Sequence, residues 1–274
     1  MLCDLHTHTH HSFDGDPSAT ALAMAQAAVD AGVGVLALTD HCEVNGQVQG
    51  LYPYFDQAAA FAEVSAARDA FAGKLTLLRG LELGQPMEHP EQALAMREAH
   101  DYDFVILSLH NIPDIPDFYL LRTDRMSEKH YHMLYDRLLD EMIRSVCFPG
   151  VHTLAHVTYP ARYWAEAGKQ FDITPHIPRL TKLFEQLCKQ GVALEVNVST
   201  LWKGHGFAMP DREVLQLYKQ VGGELVTIGS DSHAPANVGR CIADGCALLH
   251  ECGFDKIVAY KDGKQFFVPI SITK

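Results

Sequence analysis

Several short runs in this chain are apolar at nearly every position, among them VGVLAL, FVILSL and VALEV. A strand with one wet face alternates apolar and polar residues. Unbroken runs of this length therefore mark strands covered on both faces, as in a parallel sheet. Seven segments read as strands: Leu2–His6, Val33–Thr39, Leu75–Leu83, Phe104–Leu109, Thr153–His156, Ala193–Val198 and Leu225–Gly229. Helical patterns separate most of them: Ser18–Ala31, alanine-rich and closed by Gly32, then Tyr54–Phe71, Met126–Val146, Ile177–Gln190 and Pro210–Val221. A further helix carries His250 and ends near Gly253. Strand–helix units in series build a barrel of the TIM type or a doubly wound open sheet, and the barrel is the reading preferred here. No linker, repeat or low-complexity tract interrupts the 274 residues, so residues 1–274 are expected to form one domain. Near the end, IVAYKDGKQFFVPI sets an Asp-Gly pair between strand-like flanks, which predicts a small hairpin within 255–274.

The expected strand ends carry ligand-type side chains. His6 and His8 are two apart, and on an extended chain residues i and i+2 share a face. The second strand runs into Asp40 and His41, the third ends at Glu82, the fourth at His110 and the fifth at His156; the last carries Asp231 and His233, again spaced by two. In a parallel barrel these ends lie at the face where active sites are built. Buried carboxylates without partners are costly and usually pair or bind metal, so a polynuclear metal site is expected there. Imidazole with carboxylate suits zinc, manganese or iron. At least eight candidate ligands exceed what one ion needs, so two or three divalent ions are expected.

Composition bounds the partners. The net charge is −12, which disfavours long nucleic acid and anionic membrane but leaves room for a small phosphorylated substrate. No apolar run is long enough to span a membrane and no signal peptide precedes Asp4, so a cytoplasmic protein is expected. The seven cysteines include no C-x-x-C pair and read as buried thiols, with Cys42 set apart because it follows His41.

Taken together, D-x-H-x-H at Asp4–His8, T-D-H at Thr39–His41, G-x-E at Gly80–Glu82, the His110 and His156 strand ends and G-S-D-S-H at Gly229–His233 resemble the PHP (polymerase and histidinol phosphatase) family. The motifs keep the family's order over nearly the whole chain. The length and the EVN at Glu195–Asn197 look most like the stand-alone histidinol-phosphate phosphatase branch. The resemblance implies a distorted (β/α)7 barrel with a trinuclear site. Carried over residue by residue, His6, His8, Glu82 and Asp231 would hold one ion; Glu82, His110 and His156 a second; His41, His233 and the residue at position 14 a third. Some relatives have histidine at that last position, where this chain has Asp14. His10 and His11 match no family ligand and read as loop-surface histidines.

The expected reaction is hydrolysis of a phosphate monoester by a hydroxide bridging the ions, with Asp231 orienting it or taking its proton. Arg162, in the loop after the fifth strand, and Lys203, after the sixth, would bind the phosphate. His205 beside Lys203 is a further substrate-contact candidate, and Tyr159, Tyr163 and Trp202 would make the rim aromatic. L-histidinol phosphate leads as substrate; nucleotides or short oligonucleotides are the alternative on the same metal core. A non-catalytic module and an amide hydrolase with a bridging carboxylated lysine rank lower, because the ligand set is complete and no lysine ends a strand.

Overall fold

The structure, a computed structural model, describes residues 1–270. Seven parallel strand positions form a nearly closed barrel: β1 (Leu2–Asp4), β2 (Val33–Leu38) continued by the short β3 (His41–Glu43), β4 (Thr76–Gly84), β5 (Phe104–Ser108), β6 (Thr153–Leu154), β7 (Ala193–Asn197) and β8 (Val226–Gly229). The order around the barrel follows the chain. Both faces of these strands are buried, which is why their sequences read as continuous apolar runs.

Helices wrap the outside: α1 (Ala21–Asp30), α2 (Val44–Gln49), α3 (Gln57–Ala70), α4 (Pro90–Glu98), α5 (Glu128–Ser145), α6 (Tyr159–Glu166), α7 (Ile177–Gln190), α8 (Ser199–Trp202), α9 (Arg212–Gln220) and α10 (Ile242–Glu251). α7 shows how they attach. Leu180, Leu183, Phe184 and Leu187, at helical spacing, are its buried face, and Gly191 ends it with φ 66°. Four of the helices, α2, α4, α6 and α8, were not expected. The first expected helix starts three residues late, because Thr20 caps it by accepting the Ala23 N–H.

β1 and β8 close the barrel without a continuous ladder. Instead Leu5 N–H donates to Ile228 O, Asp231 N–H to His6 O and His8 N–H to Ser232 O, at 2.8–2.9 Å, with a parallel bridge between Thr7 and Ser232. Asp4 buckles this seam. Its buried carboxylate accepts the Ser230 N–H and hydroxyl and the Gly239 N–H. Burial still pushes its pKa up to about 6.

At the other end, β9 (Lys256–Lys261) and β10 (Lys264–Pro269) form an antiparallel hairpin over Asp262–Gly263, both at positive φ as a two-residue turn requires. Tyr260 of β9 packs on Phe104 and His152, at the N-terminal ends of β5 and β6. Residues 271–274 of the expected hairpin stretch lie outside the described residues.

Candidate metal centre and active-site cavity

His6 and His8 lie just past the end of β1 rather than within a strand, yet the Thr7 bridge keeps the chain extended and puts both rings on one side. The chain breaks between β2 and β3, where Asp40 accepts the Thr9 N–H, the Thr9 hydroxyl and the Ser12 hydroxyl. That break lets β3 pair with β4 so that His41 lies opposite Glu82. His156 follows β6 at φ 27° and Asp231 follows β8 at φ 54°. Both are unfavourable for residues with a Cβ, and each is held through its backbone N–H, that of His156 by the Glu195 side-chain Oε2 and that of Asp231 by the His6 carbonyl. Gly229 has no side chain for a steric reason: a Cβ there would lie 2.2 Å from the His6 Cβ.

Glu82 is the hub. Its Oε2 lies 3.4 Å from His6 Nε2, 3.6 Å from His8 Nε2 and 2.6 Å from His41 Nδ1. Its Oε1 lies 3.3 Å from His156 Nε2 and 3.5 Å from His110 Nε2. Asp231 Oδ1 approaches His8 Nε2 (3.4 Å), His6 Nε2 (3.8 Å) and His233 Nδ1 (3.7 Å). Asp14 reaches His233 Nε2 at 3.2 Å and His41 Nε2 at 3.6 Å. All nine residues expected as ligands therefore meet at one end of the barrel. His41 departs from the expected grouping: one nitrogen faces Asp14 and the other faces Glu82.

The outer nitrogens of four of these rings are tied down. His6 Nδ1 donates to Glu195 Oε1 (2.6 Å), His110 Nδ1 to Glu43 Oε1 (2.8 Å) and His233 Nδ1 to the Asp231 carbonyl (3.1 Å). His8 Nδ1 donates to the Ser12 hydroxyl, whose own proton goes to Asp40. Each neutral ring then turns an Nε2 lone pair inward, toward carboxylate oxygens. His6 Nε2, His8 Nε2, His41 Nδ1, His233 Nε2 and Glu82 Oε2 are buried without a hydrogen-bond partner. Lone pairs facing anions need positive charge between them. Without ions, protons meet part of that need. Burial opposes charge on His6, yet Glu195 and Glu82 hold its pKa well above the ordinary value; His8 is driven well below by burial and by His233 and His41. The donor set fits divalent metal ions.

Two carboxylates beside this centre were not expected there. Glu43, on β3, stands between His110 and His41; burial opposes its charge, but His110 lowers its pKa to about 2. Glu195 orients His6 and the His156 backbone together. Glu43 lies two residues past His41, the same spacing that marks His6 with His8, so the signal was present. Cys42, by contrast, points the other way. It is buried against Met96, its pKa pushed up by burial, and contributes nothing to the centre. Nor are all thiols buried: Cys147 and Cys188 are exposed.

Above the centre opens a cavity of about 570 Å³ lined by His41, His110, His156, Asp231, His233 and Asp14 below and by Tyr159, Tyr163, Trp202, Arg162, Lys203 and Asp117 around the rim. Arg162 sits on α6 rather than in a loop, and Lys203 caps α8. Burial lowers the Lys203 pKa, Arg162 adds to this and Asp231 opposes it, the balance expected of two cations sharing a wall. His205 is placed elsewhere. With Gly204 and Gly206 at positive φ beside it, it lines a separate cavity of about 380 Å³, its Nε2 3.5 Å from Glu166. Glu166 Oε1 also accepts from Arg162 Nε at 3.3 Å, so His205 reaches the main cavity only through that acid.

A family model described as the PHP domain matches residues 4–199. The chain belongs to the PHP domain family. Within the family, it is 34% identical over 157 residues to a protein of Thermotoga maritima named "Probable histidinol-phosphatase", an alignment that spans 56% of this chain and 63% of that one. It is 25% identical over 236 residues to a protein of the same name from Clostridium acetobutylicum, spanning 84% and 88%. Among solved structures, the PHP barrel resembles histidinol phosphate phosphatase from Lactococcus lactis, crystallised with zinc, L-histidinol and phosphate. The TM-score is 0.80 at 21% identity, covering 97% of this chain and 98% of that one. Among the described residues of this PHP protein, no helix is long and apolar enough to cross a membrane.

Proposed function

We propose that this protein is a metal-dependent phosphomonoesterase that hydrolyses L-histidinol phosphate to L-histidinol and phosphate. The observation that carries the reading is Glu82, which offers one oxygen to each of two sets of inward-facing histidines at the floor of a cavity with two cations on its wall. The names of the curated relatives support the choice of substrate.

His6, His8, Glu82 and Asp231 would hold one ion, Glu82, His110 and His156 a second, and His41, His233 and Asp14 a third. When bound, divalent ions such as zinc, manganese or iron supply Lewis acidity toward phosphoryl oxygens and a nucleophile ionised at neutral pH. The chain's own residues do the rest. Arg162 presents a planar fork to two phosphate oxygens, and Lys203 adds a point charge. Asp231, held by Asn197 Nδ2 at 3.3 Å, would align the nucleophile with one oxygen, accept its proton on attack and return it to the departing alcohol oxygen. Glu43, Glu195 and Ser12 keep the ring tautomers fixed through the reaction.

Asp117 would choose the leaving group. Its Oδ1 accepts from the Tyr159 hydroxyl (3.0 Å) and the Tyr119 N–H (2.8 Å), which leaves Oδ2 for a ligand. An ammonium group suits that oxygen, and histidinol has one where a nucleoside does not. All seven cysteines are free, which accords with a cytoplasmic, reducing setting for the same enzyme.

The test is a substrate panel on metal-replete enzyme: histidinol phosphate, AMP, a nucleoside bisphosphate and a short RNA. Histidinol phosphate should exceed the others in kcat/KM by at least about a hundredfold, the discrimination a charge-assisted hydrogen bond to the substrate supplies. Phosphate release from nucleotides alone would move the assignment to the nucleotide alternative and leave the metal centre untouched.

A further inference from the structure

We propose that His10, His11 and Glu63 form an additional metal site, outside the barrel centre, that takes one borderline transition-metal ion, zinc foremost. Among the described residues this is the one ligand-type triad that shares no member with the barrel-mouth cluster; its three ligand atoms lie within 4.8 Å of one another.

Glu63, on α3, is anchored first. Its Oε1 accepts the Ala21 N–H at the start of α1, at 2.8 Å, which fixes the carboxylate and leaves Oε2 outward. Oε2 lies 2.8 Å from His11 Nε2 and 3.5 Å from His10 Nε2. His10 Nδ1 lies 3.4 Å from the Ala19 carbonyl, which only accepts, so the ring proton belongs on Nδ1. With its proton there, the ring aims the Nε2 lone pair at a carboxylate oxygen. The same arrangement, a ring tied by Nδ1 with Nε2 facing a carboxylate, recurs at His6, His8, His110 and His233, and it suits a cation between the two atoms.

The spacing and exposure fit zinc. Ligand atoms around a tetrahedral ion with bonds of about 2.0–2.1 Å sit roughly 3.3–3.5 Å apart. The His10–Glu63 pair is already there, and the His11–Glu63 pair must open by well under an ångström. The three side chains are 33%, 17% and 29% exposed, so an ion can enter and keep water as its fourth ligand. Two imidazoles with one carboxylate favour zinc, cobalt, nickel or copper over magnesium or calcium. Bound there, the ion would staple the loop that carries Phe13 and Asp14 to α3, without touching the substrate cavity.

Zinc alone is the probe. The enzyme is stripped with chelator, reloaded with saturating zinc, freed of excess by gel filtration and counted by plasma mass spectrometry. Wild type should hold one more equivalent per chain than His10→Ala, His11→Asn or Glu63→Gln, each checked for native circular dichroism. A late rise in Tm across the zinc titration should vanish in all three. Equal zinc counts in wild type and variants overturn the proposal. So does loss of several equivalents together with activity in all three variants, which would mean that the triad merely props up the barrel centre. The count is independent of which phosphoester the enzyme cleaves.

Discussion

A single side chain at the cavity rim offers a test between the two substrate readings. Among the described residues Asp117 Oδ2 has no partner, and the ammonium of the proposed leaving group would fill that place. The neutral isostere Asp117→Asn should raise KM for histidinol phosphate about ten- to a hundredfold, the worth of a charge-assisted hydrogen bond. The same change should leave KM for p-nitrophenyl phosphate, which has no amine, within about twofold. Equal effects on both esters would remove Asp117 from recognition. At this scale the sequence was legible where periodicity speaks and silent where packing decides. Two-residue spacing brought out His6 with His8, because an extended chain must put such a pair on one face; it also brought out Asp231 with His233, although there the chain turns at Asp231, with φ 54°, and still sets the pair 3.7 Å apart. The same rule applied to His41 reaches Glu43, once the stretch after β2 is read as strand. No spacing could show that His205 turns toward Glu166, since that depends on two glycines at positive φ and an acid from another helix.

Among the elements, the β1–β8 seam joins without a continuous ladder and leans on one side chain. Three donors converge on Asp4, from Ser230 and Gly239, residues more than two hundred positions away. Asp4→Asn turns one acceptor into an NH2 group facing donors. It should cost about 1–3 kcal/mol by urea denaturation, the range for a buried donor left unmade, with loss of bound metal in parallel because His6 follows Asp4 by two residues. A stability within about 0.5 kcal/mol of wild type would show that the buckle is dispensable. The sequence located most barrel strands within one or two residues, since parallel strands buried on both faces have few other ways to look. The exceptions are at the chemistry. β6 is only two residues long, and β2 breaks at Asp40, because ligand geometry rather than strand propensity governs those points. Short helices such as α6 and α8 were missed because they offer two turns or fewer of pattern.

For the molecule as a whole, a barrel mouth crowded with inward lone pairs and acids is a state that ions relieve. Binding at a hundred times Kd adds about 2.7 kcal/mol per site, which for a chain of this size corresponds to roughly 5–10 °C in Tm. Chelation should lower Tm by at least about that much, and zinc or manganese should restore it. A melting curve indifferent to chelator would mean that the mouth is stable on its own protons and that the metal reading fails. The barrel architecture itself followed from sequence order, as apolar runs and helices alternated in series. The hairpin's place under β5 and β6 did not, because nothing in Tyr260 announces that it will stack on His152 and Phe104.

The seam also sets a timetable. His6 and His8 are made more than two hundred residues before the backbone atoms that hold them in place, which belong to residues 228–232. A chain can complete six-sevenths of its wall and still leave His6 and His8 unpositioned. Any fragment cut before Asp231 should be unable to hold the ion assigned to His6, His8, Glu82 and Asp231, however well its helices form, because that part of the mouth is born only when the cylinder closes.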